Sequence, residues 1–155
     1  MRLICSIIGA TLLSSVVFFS SCKKEQETVN YATIDKAEIQ KYIKEHNWDA
    51  DSTSSGLYYV IKKPGIGQTP SLYSNVKIRY KGYLLSGKIF DEAKSPVVLN
   101  LSQVIKGWQE GIPKFKEGGE GILLIPSGLG YGGRAQNSIP ANSVLIFEIK
   151  LDEVL

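Results

Sequence analysis

The sequence predicts an α+β domain in which a twisted antiparallel sheet of about five strands wraps around one short helix, preceded by an N-terminal helix and a tether. Two observations support this fold class. After Gly56, apolar and β-branched segments alternate with turns, and the chain has 15 glycines against 6 prolines. Within that region only Gln103–Ile112 spaces its apolar residues as a helix does.

The composition excludes several classes of protein. The 155 residues include 18 basic and 15 acidic side chains, and a net charge of +3 is too small to indicate a nucleic-acid partner. A hydrophobic content of 43% excludes wholesale disorder. Two cysteines and one histidine cannot supply the four ligands of a Cys/His zinc site. We therefore expect no metal, and nothing in the sequence indicates an organic cofactor.

Residues 1–21 have the features of a secretory signal peptide. Arg2 precedes an apolar stretch, residues 3–19, and small residues lead directly to Cys22. This arrangement resembles a bacterial lipoprotein signal, although Phe19 stands where the usual pattern has leucine. It implies cleavage before Cys22, a lipid on its thiol and a membrane-anchored lipoprotein of the bacterial cell envelope, in the outer membrane or facing the periplasm. An uncleaved anchor and a secreted product are the alternatives.

Residues 22–56 are predicted to form a lipid-anchored tether that contains a helix at about residues 34–46. Thr33 is the expected N-cap, and Asp35 and Glu38 are expected near the positive end of the helix dipole. The helix should present one face to the rest of the protein, made of Ile39, Tyr42, Ile43 and His46.

Two features of this region have competing interpretations. His46 is interpreted as a cation placed at the C-terminal end of the helix, where the dipole favours it, rather than as a catalytic base. The triplet Asp51-Ser52-Thr53 resembles a short bacterial O-glycosylation motif, and a solvated linker explains it equally well.

The domain from residue 57 to residue 155 is predicted to be mainly strands. The short helix Gln103–Ile112 is weakened by Gly107 and Gly111 and should end at Pro113. The predicted strand segments are Leu57–Lys62, Val76–Leu85, Lys88–Phe90, Val97–Leu101, Gly121–Pro126 and Val144–Val154.

The glycine-rich segment Gly128–Gly133 follows a strand and fits the pattern G-x-G-x-x-G. A dinucleotide site also requires a helix that begins at these glycines. The next residues, Arg134–Ser143, contain Pro140 and no apolar period, so no such helix is expected. We interpret the glycines as a loop that presents Tyr131 and Ile139.

Six segments, in their order and spacing, resemble the FKBP family of peptidyl-prolyl isomerases. The resemblance implies that family's sheet wrapped around one helix, and an enzyme that speeds rotation about X-Pro bonds in exported proteins without a cofactor. Implied partners are proline-containing segments and the family's macrolide ligands. The segments are Val76–Gly82, Gly87–Asp91, Val104–Gly111, Gly118–Pro126, Leu129–Gly132 and Ile139–Phe147.

The resemblance also assigns site residues. It implies catalytic roles for Tyr80, Asp91 and Tyr131. The sequence departs from the family pattern at three positions that usually carry aromatic residues, which are Val97, Leu99 and Leu129. The residues that it implies for substrate binding are Phe90, Val104, Ile105, Trp108, Ile139 and Phe147.

Two alternatives stay open at this point. The same fold could be a non-catalytic chaperone or binding module that grips proline-containing segments. The helix at about 34–46 could be a dimerisation element, although a single apolar stripe favours packing on its own domain.

Overall fold

The computed structural model describes residues 29–155, and the predicted signal peptide, Cys22 and the next six residues of the tether lie outside this range. A six-stranded antiparallel sheet is the main element, with strand order β1-β2-β5-β6-β3-β4. The elements in chain order are α1 (Tyr31–Glu45), β1 (Asp51–Ser52), β2 (Tyr58–Lys63), β3 (Asn75–Leu84), β4 (Ile89–Asn100), α2 (Lys106–Gly111), β5 (Glu120–Ile125) and β6 (Leu145–Val154).

The two faces of the sheet bury two separate hydrophobic clusters. On β5, Leu123 and Ile125 belong to the cluster that contains Trp108 of α2, whereas Ile122 and Leu124 belong to the cluster that contains Ile39 of α1. Successive side chains of a strand point to opposite faces, so one strand contributes to both cores. The α+β class, with a sheet and one short helix in the domain, is therefore confirmed.

The helix α1 packs on the face of the sheet opposite α2. Ile39 is fully buried there, and Tyr42 and Ile43 pack half-buried beside it. The apolar stripe of α1 thus covers its own domain, as the sequence favoured over dimerisation. No helix within residues 29–155 has the length and apolarity that a membrane span requires.

The start of α1 differs from the prediction. The helix begins at Tyr31, and Asn30 is the N-cap because its side chain accepts a hydrogen bond from the Thr33 amide at 3.4 Å. Thr33 was the wrong cap, since asparagine is at least as good and comes first. Asp35 and Glu38 consequently lie beyond the first turn, and Asp35 is buried rather than exposed to the helix dipole.

His46 lies at the C-cap of α1. Its Nδ1 is 2.8 Å from the Tyr42 carbonyl, and its ring stacks on the Tyr42 ring with centroids 4.0 Å apart. These local contacts agree with the structural interpretation of His46.

The strand β4 is one continuous element where two short segments were predicted. It is an edge strand that pairs only with β3, and most of its residues between 91 and 96 are exposed and polar. Because these residues are polar, the sequence has no alternation of apolar and polar positions there from which the strand could be predicted. Pro96 falls where the register with β3 shifts, a position that tolerates the missing N–H. The other addition is β1, whose Ser52 is exposed.

The helix α2 is shorter than predicted and is flanked by 3₁₀ turns, Leu101–Gln103 and Ile112–Lys114. Its glycines permit close packing on β5. A Cβ at Gly107 would lie 2.4 Å from Cγ2 of Ile125, and one at Gly111 would lie 2.7 Å from Cδ1 of Leu123.

The glycine-rich segment forms a 3₁₀ turn, Ser127–Leu129, followed by further turns. Residues 134–143 contain an isolated bridge between Gln136 and Ile139 and no helix. The element that a dinucleotide site requires after the glycines is therefore missing from this segment.

Candidate active site

A cavity of about 340 Å³ opens on the α2 side of the sheet, between β3, β4, β6 and the start of α2. It contains every site residue predicted within the domain except Phe90 and Ile139. Its lining residues are Tyr80, Asp91, Leu99, Gln103, Val104, Ile105, Trp108, Tyr131 and Phe147.

Aromatic rings in edge-to-face contact form the floor of this cavity. The Trp108 ring centroid lies 5.0 Å from that of Tyr80 and 5.1 Å from that of Phe147. Trp108 is 4% exposed because α2 approaches β5 so closely through its glycines. Edge-to-face pairs of this kind are favourable because the positive edge of one ring meets the negative face of the other, so the rings pack as one mainly apolar cluster.

Tyr80 and Asp91 form a hydrogen-bonded pair on the cavity wall. In the register of β3 with β4, Tyr80 is opposite Ala93, which places Asp91 two residues away on the same face of the sheet. The Tyr80 hydroxyl donates to Oδ2 of Asp91 at 2.7 Å.

The environment of this pair keeps the tyrosine protonated. Burial, together with the hydrogen bond to Asp91 and the charge of that carboxylate, raises the pKa of Tyr80 to about 12. At neutral pH its hydroxyl is therefore a donor, and Asp91 is its acceptor.

Tyr131 and Ile105 stand at the rim. The Tyr131 side chain is 37% exposed and belongs to the loop after β5. Both neighbours of Tyr131 are held, since the amides of Gly130 and Gly132 donate to the Ser127 carbonyl at 3.0 and 2.8 Å. Ile105 is the N-cap residue of α2, so no carbonyl within the helix can accept from its amide N–H.

Phe90 and Ile139 are outside the cavity lining but belong to or pack against the hydrophobic cluster that contains Trp108 and Phe147. The Phe90 ring packs edge-to-face on Phe147 at 5.4 Å, and Ile139 is 6% exposed within the first hydrophobic cluster. Gly82 allows the two phenylalanines to meet, because a Cβ there would lie 2.7 Å from each ring. The sequence analysis did not single out this glycine, although a glycine inside a strand often marks such an approach.

Two further lining residues were not predicted as site residues. The sequence marks Leu99 only as a departure from the family and predicts Gln103 as part of the short helix. Gln103 instead ends the 3₁₀ turn before α2 and is exposed at the cavity edge. Within residues 29–155 no cluster of three or more His, Cys, Asp or Glu side chains could hold a metal ion.

A second cavity, of about 870 Å³, lies on the other side of the Tyr131 loop. The N-terminal half of α1 and the turn at Ser127–Leu129 both line it, and its lining contains none of the predicted site residues.

A family model and similar proteins of known sequence indicate the same family. The model of the FKBP-type peptidyl-prolyl cis-trans isomerase family matches residues 67–152. FkpA of Buchnera aphidicola from Schizaphis graminum is 45% identical over 106 residues, which is 66% of this chain and 42% of that protein. FkpA of the Acyrthosiphon pisum symbiont is 35% identical over 97% of this chain and 68% of that protein. The chain thus spans less than half of the first of these relatives.

Solved structures share the fold. The crystal structure of FkpA from Escherichia coli superposes with a TM-score of 0.71 at 34% identity, covering 79% of this chain and 60% of that one. A peptidyl-prolyl cis-trans isomerase from Pseudomonas syringae gives a TM-score of 0.69 at 29% identity, covering 81% and 96%. The six-stranded sheet, the aromatic cavity and these matches together show that the chain belongs to the FKBP-type peptidyl-prolyl cis-trans isomerase family.

Proposed function

We propose that this chain catalyses cis–trans isomerisation of X-Pro peptide bonds in polypeptide segments that contain proline. The observation that supports this most directly is the aromatic cavity of about 340 Å³ whose wall carries the Tyr80–Asp91 hydrogen bond. A cavity of that volume is within the range of small-ligand sites and is large enough for one proline ring with its flanking atoms.

The cavity would act on the electronic structure of the amide. Rotation about the peptide bond has a barrier of ~18–20 kcal/mol because resonance stabilises the planar amide. A twisted amide has lost that resonance and is less dipolar. Transfer from water to an apolar floor made by Trp108 and Phe147 therefore disfavours the planar amide more than the twisted one, which lowers the barrier.

The polar groups at the rim would hold the flanking chain while the bond rotates. The Tyr131 hydroxyl and the Ile105 N–H are donors for substrate carbonyls on either side of the proline. Asp91 accepts from Tyr80 and so fixes the wall against which the proline ring packs. No proton has to move, because the reaction breaks no bond to hydrogen.

The proposal extends to cellular context. We infer that Cys22 carries a lipid, and that the protein assists proline-limited folding of exported proteins at the bacterial envelope. The support is the apolar stretch and the small residues that precede Cys22. Incorporation of labelled palmitate that is lost in Cys22→Ser would support the anchor, and equal labelling of both forms would contradict it. Macrolide ligands of the family would occupy the same apolar cavity.

Catalysis is tested on the fragment from Lys24 onward with a short X-Pro peptide, measured by the rate of cis–trans exchange. Asp91→Ala and Tyr131→Phe should each lower kcat/KM about fivefold, since losing one net hydrogen bond of ~1 kcal/mol changes a rate by about that factor. Tyr73→Phe is the matched control, because Tyr73 is 79% exposed and lies outside the cavity.

The same assay distinguishes the alternative function. A folded fragment without turnover would contradict the isomerase proposal. Saturable binding of the peptide by that inactive fragment would then favour a binding module or chaperone.

A further inference from the structure

The helix α1 contacts the Tyr131 loop at one buried polar point. Oδ2 of Asp35 accepts a hydrogen bond from the Ser127 amide at 2.8 Å and another from the Ser127 hydroxyl at 2.6 Å. Each of the two residues is 2% exposed.

The hydrogen bonds continue from this point to the rim of the cavity. The carbonyl of Ser127 accepts from the amides of Gly130 and Gly132, which flank Tyr131. The carbonyl of Gly132 in turn accepts from the Asn142 amide at 2.7 Å. A continuous path of hydrogen bonds therefore runs from a side chain of α1 to both neighbours of Tyr131.

Packing holds this loop on one side only, where Leu129 packs against the first hydrophobic cluster and a Cβ at Gly130 would lie 2.9 Å from Cδ1 of Leu145. The second cavity, of about 870 Å³, lies beneath it and is lined by Asp35, Ser127 and Gly132 among others. A Cβ added at Gly128 or at Gly132 would meet no atom within 4 Å. On the open side, the hydrogen bonds made by Ser127 are the contacts that hold the loop.

A role in docking α1 alone does not explain Asp35. The fully buried Ile39 already attaches the helix to the sheet, and an apolar residue would be less costly at a buried position than a carboxylate. Asp35 Oδ1 has no hydrogen-bond partner among residues 29–155, so the burial of this group is only half compensated. The other oxygen, Oδ2, is compensated by its two hydrogen bonds from Ser127.

We propose that Asp35 is a positioning residue that, through Ser127, fixes the loop carrying Tyr131 at the rim of the active cavity. This inference rests on the proposed function only for its kinetic consequence. The residue lies in α1, outside residues 67–152 that the family model matches. The N-terminal helix is thus an added support for the site rather than a spacer.

The test compares three variants in the purified protein. Asp35→Ala removes both hydrogen bonds, Asp35→Asn keeps one acceptor oxygen, and Ile39→Ala weakens α1 without touching Ser127. The first readout is amide hydrogen exchange at Gly130 and Gly132. We expect about tenfold faster exchange in Asp35→Ala, restored toward the parent in Asp35→Asn, because the loop opens locally.

The second readout separates KM from kcat with an X-Pro peptide. Because the Tyr131 hydroxyl holds ground and twisted states alike, Asp35→Ala should raise KM by up to about fivefold with little change in kcat. Ile39→Ala should lower global stability while leaving KM and the two loop amides near the parent values.

Each outcome decides the matter. Parental exchange and KM in Asp35→Ala would overturn the proposal, and so would an equal effect in Ile39→Ala. If Asp35→Ala does not fold, Ser127→Ala replaces it, since that change removes only the hydroxyl bond. A parent without isomerase activity would refute the proposed function, while the exchange of Gly130 and Gly132 would still test the positioning role.

Discussion

Two features of the surroundings of the Tyr80 hydroxyl shift its pKa in the same direction. Burial in the aromatic wall and the carboxylate of Asp91 both favour the protonated phenol, which raises its pKa to about 12. The group is thus a permanent donor under physiological conditions, and its contribution is to geometry rather than to proton transfer.

Replacing Tyr80 with phenylalanine tests this contribution. Tyr80→Phe keeps the ring against Trp108 but removes the bond to Asp91, so we expect kcat/KM to fall about fivefold to tenfold. The measurement is peptide isomerisation beside a matched control, Tyr59→Phe, which alters a half-buried tyrosine outside the cavity. A parental rate in Tyr80→Phe would show that the pair is not used.

The glycines of α2 give a second prediction at the residue scale. Gly107→Ala gains helix propensity of ~1 kcal/mol, but its Cβ would overlap the fully buried Ile125, and overpacking costs about 1–3 kcal/mol. We expect a net decrease in the free energy of unfolding, measured by urea denaturation. Gly128→Ala is the control because space there is open, and an equal decrease in both variants would contradict the explanation.

Among the elements, α1 allows the contribution of side-chain packing to the free energy of unfolding to be measured. Ile39→Ala leaves a cavity in the second cluster and should lower the free energy of unfolding by about 2–5 kcal/mol. Ile34→Ala, at a position that is 41% exposed, should change it by less than about 0.5 kcal/mol. Urea denaturation measures both, and equal effects would show that α1 does not dock as described.

The sequence predicts elements well where burial alternates and poorly where it does not. In β3, Val76 and Ile78 are buried between half-exposed Lys77 and Arg79, and the strand was predicted close to its true bounds. In β4 the polar run from residue 91 to residue 96 has no such alternation, because an edge strand keeps contacts on one side only. The pairing that makes it a strand is with distant residues.

The candidate site was predicted from motif resemblance rather than from periodicity. Trp108 and Phe147 are also core residues, so their burial pattern alone cannot distinguish a cavity floor from a core. The link between Asp35 and Ser127 spans 92 residues of sequence, and nothing local marks either as a partner. Gln103 reached the cavity edge only because a 3₁₀ turn replaced the predicted first turn of helix.

Over the whole molecule, several tyrosines are placed where ionisation is unfavourable. Burial raises the pKa of Tyr42, Tyr80 and Tyr83 above the usual value of ~10. Above a pH of ~10 these tyrosines lose their protons in the unfolded chain and keep them in the folded chain. Their contribution to folding stability is therefore complete only below the unfolded-state pKa. Their contribution is lost as pH rises through the folded-state pKa values.

We therefore expect stability to fall in alkali, measured by urea denaturation at about pH 8 and about pH 11. Tyr83→Phe removes one of these groups, so the loss of stability between the two pH values should be smaller than in the parent. Tyr73→Phe changes an exposed ring and is the matched control. An identical loss in the parent and in Tyr83→Phe would contradict this account.

The position of β6 in the sheet has a consequence for biosynthesis. The last strand in chain order lies between β5 and β3, and its residues pair along both edges. Before Leu145–Val154 has been synthesised, no strand joins β1-β2-β5 to β3-β4 by backbone hydrogen bonds. Such a long-range pairing forms late. We therefore expect the complete sheet to form only after β6 has been synthesised.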